Sequence, residues 1–264
     1  MRERQSRPFP DHFSAVSAGY ARSRPRYPDA LFEWLATLAR HHRLAWDAGT
    51  GNGQAATGLA AHFAAVIATD ASAAQVARAE AHPAVTYRVG LAEQSGLPDA
   101  SVDLVTAAQA AHWFDLDAFH AEVHRVLAPG GAVALWSYAL PRLDDPEPNA
   151  ELAAFAEEMA PWWPPERRLV ETGYATMPFP FDEVRAPALD VTAEWNLDQL
   201  LTYLRTWSSV TRAIAETGAD PVAAAGRRLA RFWGAEGLAR QVRWPVSVRA
   251  GWRLQRTASR RRTE

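Results

Sequence analysis

The chain has 264 residues, of which 22% are charged and 48% hydrophobic, with a formal net charge of -2. These proportions are typical of one large or two small globular domains, and they disfavour a disordered, collagen-like or coiled-coil protein. Cysteine is absent, and all 28 basic residues are arginine. A disulfide scaffold, a thiol nucleophile, a cysteine-ligated metal, a Schiff-base lysine and a P-loop lysine are therefore excluded.

The two ends of the chain carry charge but no apolar segment. The opening residues contain no apolar stretch of the signal-peptide type, and no run of eighteen apolar residues occurs anywhere. We therefore expect a cytoplasmic protein with no membrane span. Arginines crowd the last residues, and 257–264 are predicted to be a disordered tail. The overall charge does not favour a nucleic-acid partner.

The first half of the chain, from residue 28 to 140, alternates helical and strand patterns. Helices are predicted at 29–38, 55–63, 73–81 and 116–127, the last with Asp115 as its N-cap and Pro129-Gly-Gly as its stop. Short apolar strands are predicted at 44–47, 65–70, 85–89, 102–108 and 132–138. Strands that alternate with helices predict a parallel sheet covered on both faces, which is a doubly wound, Rossmann-like α/β fold.

The second half differs in composition. Prolines and aromatic residues dominate 141–188, which is predicted to be an inserted substrate or lid region with no core of its own. The part from 189 to 256 is predicted to return to the same sheet. Its elements are a strand at 189–195, helices at 197–214 and 221–232, and a closing strand from Trp244.

The strongest local signal is Asp47-Ala-Gly-Thr-Gly-Asn-Gly, where three alternating glycines follow a buried strand and open a helix. Glycine lets the backbone turn tightly and approach a ligand closely. A dinucleotide loop has the spacing G-x-G-x-x-G, whereas here the glycines alternate and an acid precedes them. Asp70 ends the next strand, where an acid suits binding of ribose hydroxyls. Its alternative role is the N-cap of the helix that follows.

This D-x-G-x-G-x-G spacing resembles the cofactor loop of class I S-adenosylmethionine-dependent methyltransferases. Residues 90–105 resemble the adenine-contacting loop and fourth strand of that superfamily. Further segments are similar to small-molecule methyltransferases of the trans-aconitate methyltransferase (type 11-like) group: Tyr20-Ala-Arg-Ser-Arg-Pro-Arg-Tyr-Pro, Gln109-Ala-Ala-His-Trp-Phe-Asp, Arg125-Val-Leu-Ala-Pro-Gly-Gly and Tyr203-Leu-Arg-Thr-Trp-Ser. The resemblance covers most of the chain and is weakest from Asp144 to Leu189, where the acceptor would be chosen.

The resemblance implies a seven-stranded, mostly parallel sheet with an antiparallel last strand, an inserted lid, and an N-terminal lid segment at 1–27. It implies S-adenosylmethionine as cofactor and a small-molecule acceptor, in a monomer or homodimer. The implied cofactor-binding residues are Tyr20, Arg24, Asp47, Gly49, Thr50, Gly51, Gly53, Asp70, Ala71, Ala92, Glu93 and Gln109. Among them, the glycines would approach the methionyl part, Asp70 the ribose, and Ala71, Ala92 and Glu93 the adenine. Tyr20 and Arg24 would close over the site.

Methyl transfer from a sulfonium depends mainly on holding the acceptor in line with the methyl–sulfur bond. A base is needed only if the acceptor must lose a proton, and His112 is the candidate because it follows the fourth strand. The alternative is a histidine that only hydrogen-bonds a backbone group. Aromatic residues predicted to wall the acceptor pocket are Trp113, Trp136, Tyr138, Tyr203 and Trp207. If the acceptor is a carboxylate, Arg22, Arg26 or Arg205 could orient it.

O-methylation of a small molecule is the predicted function. Nucleic-acid methylation is less favoured, because Gln109-Ala-Ala-His stands where an N-P-P-[YF] tetrapeptide would be expected. A non-methylating protein on the same fold, either a scaffold or a rearrangement catalyst, stays open. Nicotinamide redox chemistry is disfavoured by the glycine spacing. His120 and His124 share a helix face, but His-Ala-Glu-Val-His is not a zinc motif, so we predict a solvated face and no metal.

Overall fold

One mixed sheet organises this computed structural model, which describes residues 25–235 and 237–253. Its strands are β1 (Leu44–Ala48), β2 (Ala65–Asp70), β3 (Val85–Val89), β4 (Val102–Ala108), β5 (Leu127–Tyr138), β6 (Arg142–Leu143), β7 (Phe181–Val184), β8 (Leu189–Trp195) and β9 (Arg240–Arg253). The helices are α1 (Asp29–Leu38), α2 (Gln54–Leu59), α3 (Ala73–Val76), α4 (Leu116–Val126), α5 (Pro146–Glu158), α6 (Arg167–Glu171), α7 (Leu197–Leu204), α8 (Ser208–Thr217) and α9 (Pro221–Trp233). Short 3₁₀ turns lie at Ala111–Trp113 and Ala160–Trp162.

The strand order is β3-β2-β1-β4-β5-β9, with β1 to β5 parallel to their neighbours and β9 antiparallel to β5. Strands β6 and β8 both pair with β9 at Val242 and Arg243, so they lie on opposite sides of β9. Since β5 and β8 are also on opposite sides, β6 lies on the β5 side and continues β5 along that edge of β9. Strands β7 and β8 follow each other along the second edge of β9. The strands described thus occupy seven positions, and the predicted mostly parallel sheet with an antiparallel last strand is confirmed.

The central strands β1, β4 and β5 are buried on both faces over most of their length, which explains why they are rich in apolar residues. On one face, Leu31 and Leu35 of α1 pack with Leu59 of α2 in one hydrophobic cluster. On the other face, Phe119 and Val123 of α4 pack in a second cluster. The predicted borders of β2, β3 and β4 agree with the structure, whereas α2 and α3 are shorter than predicted and β5 begins earlier, at Leu127.

The second half forms a hydrophobic cluster of its own. Phe155 of the inserted region packs there with Leu200 and Leu204 of α7, Leu229 of α9 and Trp244 of β9. The inserted region therefore shares a core with the C-terminal helices, although the sequence shows no core pattern in it. The helix predicted over 197–214 is two helices, α7 and α8.

One face of α4 is covered rather than solvated, so the prediction for the two helix histidines was wrong. His120 is 4% exposed and contacts the Phe181 ring edge-on at 5.7 Å between centroids. His124 stacks on the same ring at 4.5 Å. The cause is β7, which lies across this face and is not visible in the local sequence of α4. Within 25–235 and 237–253, no three acidic or histidine residues form a group that could hold a metal ion.

The N-terminal segment up to residue 24 and the tail 257–264 lie outside the described residues, and with them Tyr20, Arg22 and Arg24. None of the helices described is long and apolar enough to cross a membrane.

Candidate functional site

A cavity opens at the carboxyl ends of β1, β2 and β4, where ligands bind in open α/β sheets. The predicted site residues that line it are Gly49, Thr50, Gly51, Asp70, Ala71, Gln109, Trp113 and Tyr138. Lining residues that the sequence did not single out are Tyr27, Asn52, Gln54, Ala55, Gln75, Ala108 and Ala110. The loop after β1, the end of β2 and the loop after β4 therefore meet at one site.

The three loop glycines all have positive φ, but they have different surroundings. At Gly51, with φ of 57°, a Cβ would meet nothing within 4 Å, so the backbone there faces open space in the cavity. At Gly49 a Cβ would come within 2.5 Å of the Ala110 Cβ. At Gly53 it would meet the Tyr87 hydroxyl, and Gly53 is not on the cavity wall. Only Gly51 leaves room for a ligand; the other two allow close packing.

Asp70 fixes the loop that faces the cavity. Its Oδ2 accepts a hydrogen bond from the Gly51 N–H at 2.8 Å, and its Oδ1 accepts one from the Ser72 N–H at 2.8 Å. Ser72, not Asp70, is the N-cap of α3, since its hydroxyl accepts from the Gln75 N–H. The alternative N-cap role of Asp70 is therefore not the one observed. The carboxylate links the carboxyl end of β2 to the glycine loop at the cavity wall.

Asp47 lies below the loop and is fully buried. Its Oδ1 accepts a hydrogen bond from the Thr106 hydroxyl at 2.7 Å, while Oδ2 has no hydrogen-bond partner. Burial raises the pKa of Asp47 to about 6, which the hydroxyls of Thr50 and Thr106 partly oppose and the charge of Asp70 reinforces. A buried acceptor without a donor is costly, and such a group at a loop base commonly serves a ligand site.

Gln109 follows β4 in a backbone conformation that side chains rarely adopt, with φ of 53°. Its N–H donates to the Trp136 carbonyl at 2.8 Å, and its Nε2 donates to the Tyr138 carbonyl at 3.1 Å. Both bonds tie the loop after β4 to β5. Non-glycine residues with positive φ are uncommon and cluster at functional sites, which agrees with the position of Gln109 on the cavity wall.

His112 lies on the 3₁₀ turn Ala111–Trp113, behind the cavity wall rather than on it. Its Nδ1 is 2.9 Å from the hydroxyl of Tyr174, a fully buried residue of the inserted region. Burial and, to a smaller extent, the nearby charge of Arg167 lower the pKa of His112 to about 4. The imidazole is therefore neutral near pH 7, and it bonds a side chain rather than a backbone group.

The five aromatic residues predicted to wall the acceptor pocket divide into two groups. Trp113 and Tyr138 line the cavity. Trp136 is fully buried under α1, and Tyr203 and Trp207 lie in the hydrophobic cluster of the second half. Those three have little exposed surface, so they belong to the core that supports the site rather than to the cavity wall.

Two residues predicted to contact adenine are not on the cavity wall. Ala92 packs in the hydrophobic cluster below α4. Glu93 accepts a hydrogen bond from the Asp115 N–H at 2.8 Å. Gln75 of α3 reaches the cavity instead, one helical turn after Ala71. No sequence signal marks Gln75, because glutamine at that position is an ordinary helix residue.

Tyr27 is a further lining residue that the sequence did not single out. Its ring meets Trp136 edge-on at 5.6 Å between centroids and lies 6.1 Å from the Tyr138 ring. It therefore connects α1 to the carboxyl end of β5 across the cavity mouth. The Tyr-Pro pair before the first helix belongs to the family-like segment and was the available signal.

Comparison with known proteins agrees with this geometry. A family model for a methyltransferase domain matches residues 46–135. A Dictyostelium discoideum protein assigned as a methyltransferase is 32% identical over 216 residues, which are 80% of this chain and 82% of that protein. An uncharacterized methyltransferase of Mycobacterium tuberculosis is 39% identical over 125 residues, and the match spans half of its length.

Among solved structures, a protein from Anaeromyxobacter dehalogenans assigned as a type II methyltransferase is 49% identical, with a TM-score of 0.82. The match covers 87% of this chain and 97% of that one. The structural match agrees with the mostly parallel sheet. The chain belongs to the class I S-adenosylmethionine-dependent methyltransferases, with S-adenosylmethionine as its cofactor.

Proposed function

We propose that this protein transfers a methyl group to an oxygen atom of a small molecule by in-line displacement. The observation that carries the proposal is the open backbone at Gly51, held by Asp70 on the wall of a cavity that aromatic residues close. A wall of backbone and small residues suits a bound cofactor, and the aromatic side formed by Trp113 and Tyr138 suits a small acceptor. The acceptor and the atom methylated are part of the proposal.

The residues at the cavity fit the cofactor. When bound, S-adenosylmethionine supplies a methyl group carried on a sulfonium. The sulfur is the leaving group and becomes a neutral thioether. Asp70 would accept hydrogen bonds from the ribose hydroxyls, and Ala71 with Gln75 would cover the base. The buried Thr50 hydroxyl and the backbone at Gly51 would receive the methionyl part. Asp47 would position the loop from below, since its side chain does not reach the cavity wall.

The acceptor side has no strong base in the described part of the chain. His112 is neutral near pH 7 and weakly basic, and Nδ1 is already engaged by Tyr174. We propose that His112 orients the wall segment that ends in Trp113, and that proton removal is not required. Transfer then depends on holding the acceptor oxygen in line and on excluding water, which are the terms that sulfonium chemistry needs most.

The test is isothermal titration of the purified protein with S-adenosylmethionine and S-adenosylhomocysteine, with NAD as control. We expect saturable binding of the two sulfur ligands alone. Asp70→Ala should weaken their binding by about 1–3 kcal/mol, because charge-assisted hydrogen bonds are lost. Asp182→Ala, which removes an exposed carboxylate on β7, is the matched control and should leave binding unchanged.

Activity is then measured as formation of S-adenosylhomocysteine with panels of small carboxylates, phenols and alcohols. Product with any of them supports methyl transfer to oxygen. Tight cofactor binding with no product from any oxygen acceptor would instead favour the non-methylating alternative. Equal loss of binding in the Asp70 and Asp182 variants would contradict the role of Asp70.

A further inference from the structure

The inserted region places one arginine beside the acceptor side of the cavity. Helix α6, which begins at Arg167, packs against the 3₁₀ turn Ala111–Trp113. That turn follows Ala110 and ends at Trp113, and both residues line the cavity. The contact is fixed by Tyr174, just after α6, whose hydroxyl is 2.9 Å from His112 Nδ1. Arg167 is thus held close to the wall by packing and by a buried hydrogen bond.

The guanidinium of Arg167 is enclosed, and among the described residues its carboxylate partner is Glu171, at a long distance. Its side chain is 18% exposed, and its Cζ lies 4.4 Å from the centre of the Trp163 ring. The Glu171 carboxylate is 3.6 Å from Nε, too far for a hydrogen bond, and Nε is buried without a partner. Burial lowers the pKa of Arg167, against the opposing influence of Tyr203, Glu171 and Tyr138. An enclosed cation with unused donors is destabilising unless it serves a ligand.

We propose that Arg167 is the specificity-determining residue for the acceptor and that it binds a carboxylate group of a small, partly apolar acid. This inference rests on the proposed methyl transfer and names the class of acceptor for the same site. The planar guanidinium matches a carboxylate with two parallel hydrogen bonds from its terminal nitrogens. The Trp163 ring, whose centre lies 4.4 Å from the Arg167 Cζ, supplies an apolar surface beside that charge.

The charge balance favours a monoanion. Arg167 carries one positive charge, His112 is neutral near pH 7, and Glu171 lies on the Nε side of the guanidinium. A dianionic phosphate would therefore be left partly uncompensated in a poorly solvated place. A carboxylate adds a single negative charge, and Arg167 can bind it while its other partner, the half-exposed Glu171, stays screened by solvent. It would also be ionised in solution, so the oxygen could be methylated without a base.

The other arginines considered for this role have partners elsewhere. Arg26 is exposed and pairs with Glu80, with Nη2 3.2 Å from the carboxylate. Arg205 pairs with Asp220, with Nε 3.1 Å from the carboxylate. Arg22 lies outside the described residues. Of the candidates that the structure describes, Arg167 alone is beside the cavity wall and has unused donors.

The test measures binding of benzoate, phenylacetate and cinnamate to the protein saturated with S-adenosylhomocysteine, by ligand-detected NMR and calorimetry. The matching amides and inorganic phosphate are the comparison probes. Arg167→Gln should weaken binding of the acids by about 10- to 100-fold, as loss of hydrogen bonds to a charged group does. Arg167→Lys should restore binding only in part, because an ammonium lacks the planar fork. Arg168→Gln, the exposed neighbour on α6, should change nothing.

The proposal is overturned if no acid binds the wild-type protein, if amides bind as tightly as acids, or if Arg167→Gln and Arg168→Gln behave alike. Tighter binding of phosphate than of every acid would overturn the carboxylate assignment. Calorimetry with S-adenosylhomocysteine separates this failure from failure of the proposed function, because only the latter removes cofactor binding. Thermal unfolding of each variant shows that it is folded. For any acid that is turned over, Arg167→Gln should raise KM more than it lowers kcat.

Discussion

The half of the chain that ends at residue 140 and the half that follows it build their parts of the site by different means. In the first half, the cavity wall is shaped mainly by the backbone. Gly51 and Gln109 have positive φ, and Asp70 accepts hydrogen bonds from backbone N–H groups. In the second half, large side chains such as Phe155, Tyr203 and Trp207 form a shared core, and none of the described residues of this half lines the cavity. The first half thus presents a cofactor surface that local sequence encodes. The second half supplies Arg167, the residue proposed to bind the acceptor, and places it behind the cavity wall through contacts between distant residues.

The largest expected effect tests whether Trp207, in the second half, belongs to the hydrophobic core or to the acceptor pocket. Trp207→Ala should lower the free energy of unfolding by about 3–5 kcal/mol, because a buried ring stacked on Phe155 is replaced by a cavity. Affinity for S-adenosylhomocysteine should stay within about twofold in the folded fraction. Denaturant unfolding and calorimetry measure both quantities.

Trp113→Ala is the comparison variant, since Trp113 lines the cavity and is only partly buried. It should cost less stability than Trp207→Ala and change ligand affinity more. A Trp207 variant that stays stable but has a raised KM for an acceptor would show that the pocket extends into the cluster of the second half.

The next effect distinguishes the glycines of the first half. Gly53→Ala should destabilise the fold by about 2–4 kcal/mol, because the new Cβ would collide with the Tyr87 ring and hydroxyl at positive φ. Gly51→Ala meets open space and should cost only about 1–2 kcal/mol, the penalty of a left-handed conformation. Gly51→Ala should nevertheless weaken cofactor binding by more than its small effect on the free energy of unfolding would suggest. Chemical unfolding and titration with S-adenosylhomocysteine provide the two measurements.

Adding Tyr87→Ala to each glycine variant gives the control. The second substitution should recover part of the stability lost in Gly53→Ala and none of that lost in Gly51→Ala. Equal recovery in both would mean that the ring contact is not the cause.

The same contrast explains what the sequence could and could not predict. The alternation of Gly49, Gly51 and Gly53, and the acid at Asp70, are local patterns, and the structure brings Gly49, Gly51 and Asp70 to one cavity. Strand borders were readable because buried parallel strands are short apolar runs bounded by polar residues. The resemblance, rather than the periodicity, supplied the antiparallel last strand.

What the sequence did not predict depends on contacts between distant residues. The contribution of α5 to the core that it shares with α7 to α9 was not predicted, because its buried Leu152 and Phe155 stand among prolines, alanines and glutamates that give its local sequence no clear apolar face. The burial of His120 requires β7, and the exclusion of Ala92 from the cavity requires the packing below α4. Arg167 has an ordinary sequence context, and its importance emerges only from its unused donors beside the cavity wall.

A pH experiment tests the two buried titratable groups of the site against each other. The pKa of Asp47 is raised from an ordinary 3.8 to about 6, so its ionisation destabilises the folded state. The free energy of unfolding should then fall as pH rises from about 4 to 6. The pKa of His112 is lowered from 6.5 to about 4, so its protonation destabilises the folded state. Its contribution should fall as pH decreases from about 6.5 to 4. The two slopes are opposite and cancel in the wild-type protein.

Each substitution should reveal the slope of the remaining group. Asp47→Asn should gain up to about 3 kcal/mol of stability at pH 7, at about 1.4 kcal/mol for each unit of pKa, and should lose stability steeply below pH 6. His112→Asn, which keeps a polar group for Tyr174, should instead become more stable as pH falls from 6 to 4. Urea unfolding at half-unit pH steps measures both profiles. Parallel profiles in the two variants would contradict the opposed burial of these groups.

The smallest expected effect concerns the conformation of Gln109, which ties the loop after β4 to β5. Gln109→Gly relieves a positive φ, worth about 1–2 kcal/mol, but it loses the hydrogen bond to the Tyr138 carbonyl and makes the unfolded chain more flexible. These terms oppose each other, so the free energy of unfolding should change by less than about 1 kcal/mol. Binding should change more, because the side chain that fixes the wall between the cofactor and acceptor sides is gone. We expect the affinity for S-adenosylhomocysteine to fall by about three- to tenfold, or about 1 kcal/mol.

Ala100→Gly, also at positive φ but not on the cavity wall, is the control and should be stabilising and leave that affinity unchanged. If Gln109→Gly binds as tightly as the wild-type protein, the strained residue serves the fold alone, and the cofactor wall depends only on the glycine loop and Asp70.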